Sequence, residues 1–137
     1  NRAASFAAAG SDARMSGCAL PVMTTSGSGN QGMTASLALI KYADFMNIDQ
    51  DSLIRALFFS HLATVHIKTN VGRLSAYCGV ICSAAAVSGA LCFINNSDLD
   101  VVSHAIANTL GDVSGIICDG AKSSCAMKIS TTIYAAF

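Results

Sequence analysis

From Leu74 to Ser97 the chain carries no charged residue, and Leu74–Ile94 is almost entirely apolar or small. A stretch of that kind either crosses a bilayer or runs through the middle of a protein, because roughly 20 apolar residues span the hydrocarbon layer. Ser75, Gly79, Ser83, Ser88, Gly89 and three cysteines interrupt it, and large lipid-facing side chains are few. No second span and no positive-inside asymmetry accompanies it. It therefore reads as a central helix, Arg73–Ile94, enclosed by other helices of a soluble bundle. Composition agrees. The 137 residues include 23 Ala, 17 Ser and 11 Gly. Ala is the strongest helix former, and small side chains let helices approach closely. Aromatic and β-branched runs are short, so the expected class is all-α, a single domain over 1–137 with about six helices.

The other elements follow from apolar spacing and turn residues. Helices are expected at Asn1–Ala13, Met33–Met46, Ser52–Lys68, Leu99–Asn108 and Ser123–Ala136. Asp49 or Asp51 is a candidate cap for the third of these, whose core face includes Leu53, Leu57, His61 or Leu62, and Val65. Ser97-x-x-Asp100 resembles a capping box. Two loops stand out: Thr24–Gly32, near residue 28, and Leu110–Lys122, near residue 116, the latter with room for one short extended piece.

Eight Lys plus Arg balance eight acidic residues, so the formal net charge is zero. Nothing electrostatic then recommends nucleic acid or an anionic membrane surface as a partner. Charged residues are 12% and hydrophobic residues 53%, which excludes disorder for most of the chain. Every acidic residue is Asp. The absence of Glu removes H-E-x-x-H metalloproteases and EF-hands of the usual kind. The chain starts at Asn1 rather than Met and stops at Phe137 inside a helical pattern. The expectation is a piece of something longer. No basic region followed by an apolar stretch opens it, so no signal peptide is read, and the expected location is the cytoplasm.

Six cysteines, at 18, 78, 82, 92, 118 and 125, would suggest three disulfides in a small secreted protein. Long helices and a large apolar core make such staples unnecessary, and a reducing compartment fits better. Cys82 and Cys92 read as small buried hydrophobes. Cys118 and Cys125 flank CDGAKSSC, a Gly/Asp/Lys-rich loop where core burial is not the obvious use. Their spacing is neither that of a zinc finger nor that of a bacterial ferredoxin, and a metal or cluster site stays open beside the structural reading.

Gly27–Gly32 matches G-x-G-x-x-G to the letter, but a dinucleotide fold needs a preceding strand and a βαβ unit, and neither is visible. What survives is simpler. A Gly-rich loop opening a helix presents free backbone N–H groups to an anion, and Asn30 and Gln31 add side-chain donors. A small carboxylate is the natural guest; a plain turn with an N-cap is the alternative. His61 and His66 are five apart and do not share a helix face, so they make a poor metal pair. His61 reads more simply as a satisfied buried histidine than as a catalyst. No G-x-S-x-G elbow occurs.

SGSGNQG (26–32), SHL (60–62), RLSAYCG (73–79) and GDVSGIICDGAKSSCAMK (111–128) together resemble the C-terminal part of the L-cysteine desulfidases. That family is related to the iron–sulfur L-serine dehydratase α chain. The resemblance covers nearly the whole chain. It implies a [4Fe–4S] cluster held by Cys78, Cys118 and Cys125, with one iron left open as a Lewis acid. It implies an α,β-elimination of L-cysteine to sulfide and aminoacrylate, and thence pyruvate and ammonia. L-serine dehydratase is the second reading, and a non-catalytic helical domain without a cluster is the third. The base is expected outside these residues, so the fragment alone should be inactive. Ser28, Gly29, Asn30 and Gln31 are the candidates for the substrate carboxylate. His61, Arg73 and Lys122 are further candidates, the last two as charge partners of cluster or substrate, or as solvated surface cations. The expected partners are a small amino acid and the remainder of its own chain, with self-association left open.

Overall fold

The computed structural model describes residues 1–72 and 74–137. Arg73, a candidate site residue, lies outside the described residues. Six helices run in order: α1 Arg2–Met15, α2 Gly29–Met46, α3 Gln50–Val71, α4 Gly79–Ile94, α5 Leu99–Val113 and α6 Ser124–Ala136. The fold is all-α, as expected. Among the described residues, no helix is long and apolar enough to cross a membrane.

α4 occupies the middle, packed by α2, α3, α5 and α6, while α1 lies across α2 and α6. Every residue of α4 from Val80 to Leu91 is buried. This explains the missing charge: the helix has no face on water, and an unpaired ion there would be costly. Ala84, Ala85, Ala86 and Ala90 are fully buried. Such small side chains let the neighbouring axes come close. A Cβ on Gly89 would stand 2.8 Å from Ile106 and 3.1 Å from Phe59. Val87, Leu39, Ile129 and Ile133 fill the centre.

The central helix starts at Gly79, not at Arg73. The reason lies in the backbone ahead of it. Tyr77 forms an antiparallel bridge with Ile117. The Cys78 N–H donates to Ile116 O at 3.0 Å, and the Cys118 N–H donates to Ala76 O at 2.7 Å. The extended piece expected within 110–122 is real, and its partner is the approach to α4.

Two other boundaries shift. α5 continues to Val113, because Thr109 and Val113 are buried and reward another turn. Its cap is Asp98, without a side-chain capping bond, so the Ser97 box does not form. α2 begins at Gly29, taking the Gly-rich motif as its first turn. α3 is capped by Asp49 as expected, its carboxylate accepting from the Ser52 N–H at 3.0 Å. The buried line of α3 is Ala56, Ser60, Thr64 and Lys68, whereas Leu62 and Val65 are exposed. α3 packs tightly on α4, and tight packing favours small residues over leucine.

Candidate functional site

The Gly-rich segment is a tight turn followed by a helix start. Thr25 and Ser28 exchange backbone hydrogen bonds at 3.2 and 3.1 Å. Ser26 and Gly27 between them both have positive φ, as in the two-residue turns that favour Gly. Ser28 then caps α2, its Oγ accepting from the Gln31 N–H at 3.4 Å. The N–H groups of Gly29 and Asn30 open the helix and have no intrahelical acceptor. The last glycine of the motif has a packing reason: a Cβ on Gly32 would meet Met23 O at 2.0 Å.

This helix start faces a cavity of about 350 Å³ that also takes in both ends of the Tyr77–Ile117 clasp. Cys78, Cys118 and Cys125 all line it, together with Ser28, Asn30 and Gln31. The thiols come from three places. Cys78 is the N-cap of α4, and Cys125 is in the first turn of α6. Cys118 sits on the loop between α5 and α6. The N-termini of α2, α4 and α6 thus converge, each presenting the positive end of its dipole. A larger apolar cleft of about 530 Å³ between Arg2, Phe45 and Phe137 contains no thiol.

Burial pushes the Cys78 thiol up, opposed by the Val80 backbone bond and the Lys128 charge. The nearby thiols of Cys118 and Cys125 push it further in the same direction. Cys125 Sγ donates to Gly120 O at 3.6 Å. All six cysteines are free. Among the described residues, no three His, Cys or Asp side chains are arranged to share one metal ion. A four-iron cluster asks for something different. Each thiolate takes its own iron, so the sulfurs stand around a common void rather than around a point. Three thiols on one cavity wall are donors of the kind such a cluster would take.

The loop carrying Cys118 is tied down by charge. Asp119 is bonded by Lys128 and lies 3.2 Å from Lys122 Nζ. Lys128 also donates to Ile117 O at 3.0 Å. These bonds, Lys128 first, hold the Asp119 carboxyl at about 2. Lys122 is thus a solvated cation of this clasp and is not on the cavity wall.

The remaining candidates separate in the same way. Gly29 lies behind the wall, where a Cβ would stand 2.8 Å from Arg14 Nε, so its smallness makes room for that guanidinium. Asn30 is on the wall, but its Oδ1 already accepts from Ser11 Oγ at 3.3 Å and Arg14 Nη1 at 3.1 Å. His61 lies outside the cavity. Its Nδ1 is 2.7 Å from Thr25 Oγ1 and its Nε2 is 3.0 Å from Ser36 Oγ, pinning the turn to α2 and α3. Two cations on the wall, Arg14 and Lys68, are absent from the sequence reading. Each ends a helix, where a basic residue reads as a partner for the dipole. No local signal separates them from that role.

A family model described as serine dehydratase alpha chain matches residues 2–137. A UPF0597 protein of Fusobacterium nucleatum is 67% identical over 137 residues, which is 100% of this chain and 32% of that protein. A UPF0597 protein of Desulfitobacterium hafniense is 53% identical over 134 residues, 98% of this chain and 31% of that protein. A third, from Lachnoclostridium phytofermentans, is 47% identical over 135 residues, again 98% and 32%. The chain therefore spans about a third of the length of the curated relatives it matches. No solved structure matches it.

Proposed function

Because the chain belongs to the serine dehydratase alpha chain family, we propose that its thiol-lined cavity is the cluster and substrate site of an amino-acid lyase. The proposed reaction is α,β-elimination of L-cysteine to sulfide and aminoacrylate, which hydrolyses to pyruvate and ammonia. The observation that carries it is the meeting of Cys78, Cys118 and Cys125, distant in sequence, on one wall with the Gly-rich start of α2. The three thiolates would hold a [4Fe–4S] cluster. When bound, it supplies a Lewis-acid iron for the departing sulfur.

The chain's own residues do the rest of the positioning. The open N–H groups at the start of α2 favour an anion such as the substrate carboxylate. Asn30 is held in place by Ser11 and Arg14, so its part is to fix the helix start against α1. Among the described residues, the wall carries no carboxylate and no imidazole. This supports a base supplied by protein outside these residues, and so a fragment inactive alone. Six free thiols support a reducing, cytoplasmic setting.

L-serine is the second reading, favoured by the description of the family model. The deciding experiment is an anaerobic assay of the full-length protein, iron-loaded, with each amino acid, reading pyruvate. Cys118→Ala serves as control. Pyruvate from L-cysteine in preference to L-serine is expected. Pyruvate from neither, by a protein that takes up no cluster on anaerobic reconstitution with iron and sulfide, would leave the non-catalytic domain as the answer.

A further inference from the structure

Two polar groups on the cavity wall lack partners, one of them a fully buried atom. Gln31 is 7% exposed, and its Oε1 makes no hydrogen bond. Lys68 is 6% exposed, and among the described residues its ammonium forms no ion pair. The first condition is costly in an interior, since a buried polar atom ordinarily finds a partner; the Lys68 ammonium, at the end of a buried stem, keeps contact with the solvent of the cavity. Neither group is a loose surface side chain. Lys68 belongs to the buried line of α3 and lies close enough to Cys82 on α4 to act on its thiol electrostatically. Gln31 is wedged against the start of α4: a Cβ on Gly79 would fall 2.4 Å from its Nε2. Arg14, the other cation on the wall, gives one hydrogen bond to the Asn30 amide oxygen and is fixed by it.

An unpaired cation and an unpaired acceptor share this one void. An acceptor oxygen cannot pair with a carboxylate, so Gln31 Oε1 needs a donor, and Lys68 needs an anion. We propose that Lys68 and Gln31 together read the zwitterion of an α-amino acid. Lys68 donates to the α-carboxylate, and the α-ammonium donates to Gln31 Oε1. Resting on the lyase reading, this moves Gln31 from the carboxylate to the amine end of the substrate. It also assigns the carboxylate to a residue that the Gly-rich motif does not contain. A ligand carrying only one of the two groups would leave the other wall group orphaned, which is a basis for selecting amino acids over simple acids or amines.

The test titrates the full-length protein with L-alanine, which has both groups but no leaving group, and with propionate and ethylamine, which have one each. L-alanine should bind more tightly than either. Lys68→Met should weaken L-alanine by about 10- to 100-fold, the usual effect of losing a hydrogen bond to a charged group. It should leave ethylamine unaffected. Lys68→Arg should recover part of the loss. Gln31→Leu should weaken L-alanine and ethylamine while sparing propionate. In turnover, Lys68→Met should raise KM far more than it lowers kcat. Its Tm should hold, since the buried stem is replaced by an apolar chain of similar length and the lost ammonium had no ion-pair partner among the described residues.

Unchanged L-alanine affinity in Lys68→Met would overturn the proposal, even if the enzyme makes pyruvate. So would Met and Arg variants that both keep KM and lose kcat, which would make Lys68 a proton-transfer group. Lys68-dependent L-alanine binding by a protein that makes no pyruvate would uphold the zwitterion site while removing the lyase reading.

Discussion

His61 illustrates how much one side chain can be constrained. Ser36 Oγ donates to Gly32 O at 2.8 Å, so its hydrogen is used. The Ser36 contact must then be His61 Nε2–H donating, which leaves Nδ1 to accept from Thr25. The ring is neutral in this arrangement, and burial pushes its pKa below the ordinary 6.5. The unfolded chain therefore binds a proton first as pH falls, and stability drops below about 6.5 until the folded pKa is passed. Tm should fall between pH 7 and pH 5.5, and His61→Gln should flatten that slope. Equal slopes in both proteins would reject the assignment. Gly79 gives a second expectation at this scale. In Gly79→Ala the new methyl displaces the Gln31 carboxamide, the flexible end of a side chain, not backbone. Tm should change little, while L-alanine affinity falls several-fold, as expected for one hydrogen bond.

Among the elements, α4 is the clearest case of sequence dictating placement. A helix without charge and rich in small residues is only stable when surrounded, and four of the other five helices are arranged to do that. Ala85→Leu would push three further side-chain carbons into a fully enclosed site. It should cost roughly 1–3 kcal/mol of unfolding free energy by urea titration, the usual penalty of overpacking. A neutral result would mean that α4 has slack that its burial does not suggest. α3 shows the opposite lesson. Its apolar spacing pointed to Leu62 and Val65, yet the buried line carries Ser60 and Thr64, whose hydroxyls bond Ala35 O and Ser60 O. Hydroxyls satisfied by backbone carbonyls behave as small packing residues, and a pattern of apolar letters does not register them.

At the scale of the molecule, the site depends on closure of distant segments. The clasp between residues 76–78 and 116–118 brings two of the thiols together, and α6 docked on α4 and α1 supplies the third. If the three act as one ligand set, Cys→Ser at 78, 118 or 125 should each cut iron loading after anaerobic reconstitution as severely as the triple replacement. Cys18→Ser and Cys92→Ser should load like wild type. Loading that falls by equal, additive steps at all five positions would speak against a common centre.

The amino-acid sequence was sufficient for the helical class, the enclosed central element and the polar cap of α3, because each has a local or compositional signature; no spacing in it groups Cys78, Cys118 and Cys125, which only the family resemblance put together. It could not locate Arg14 or Lys68 at the cavity, nor remove His61, Gly29 and Lys122 from it. Whether a cation at a helix end meets water or a void depends on what packs over it, and that is decided only when segments far apart along the chain come into contact.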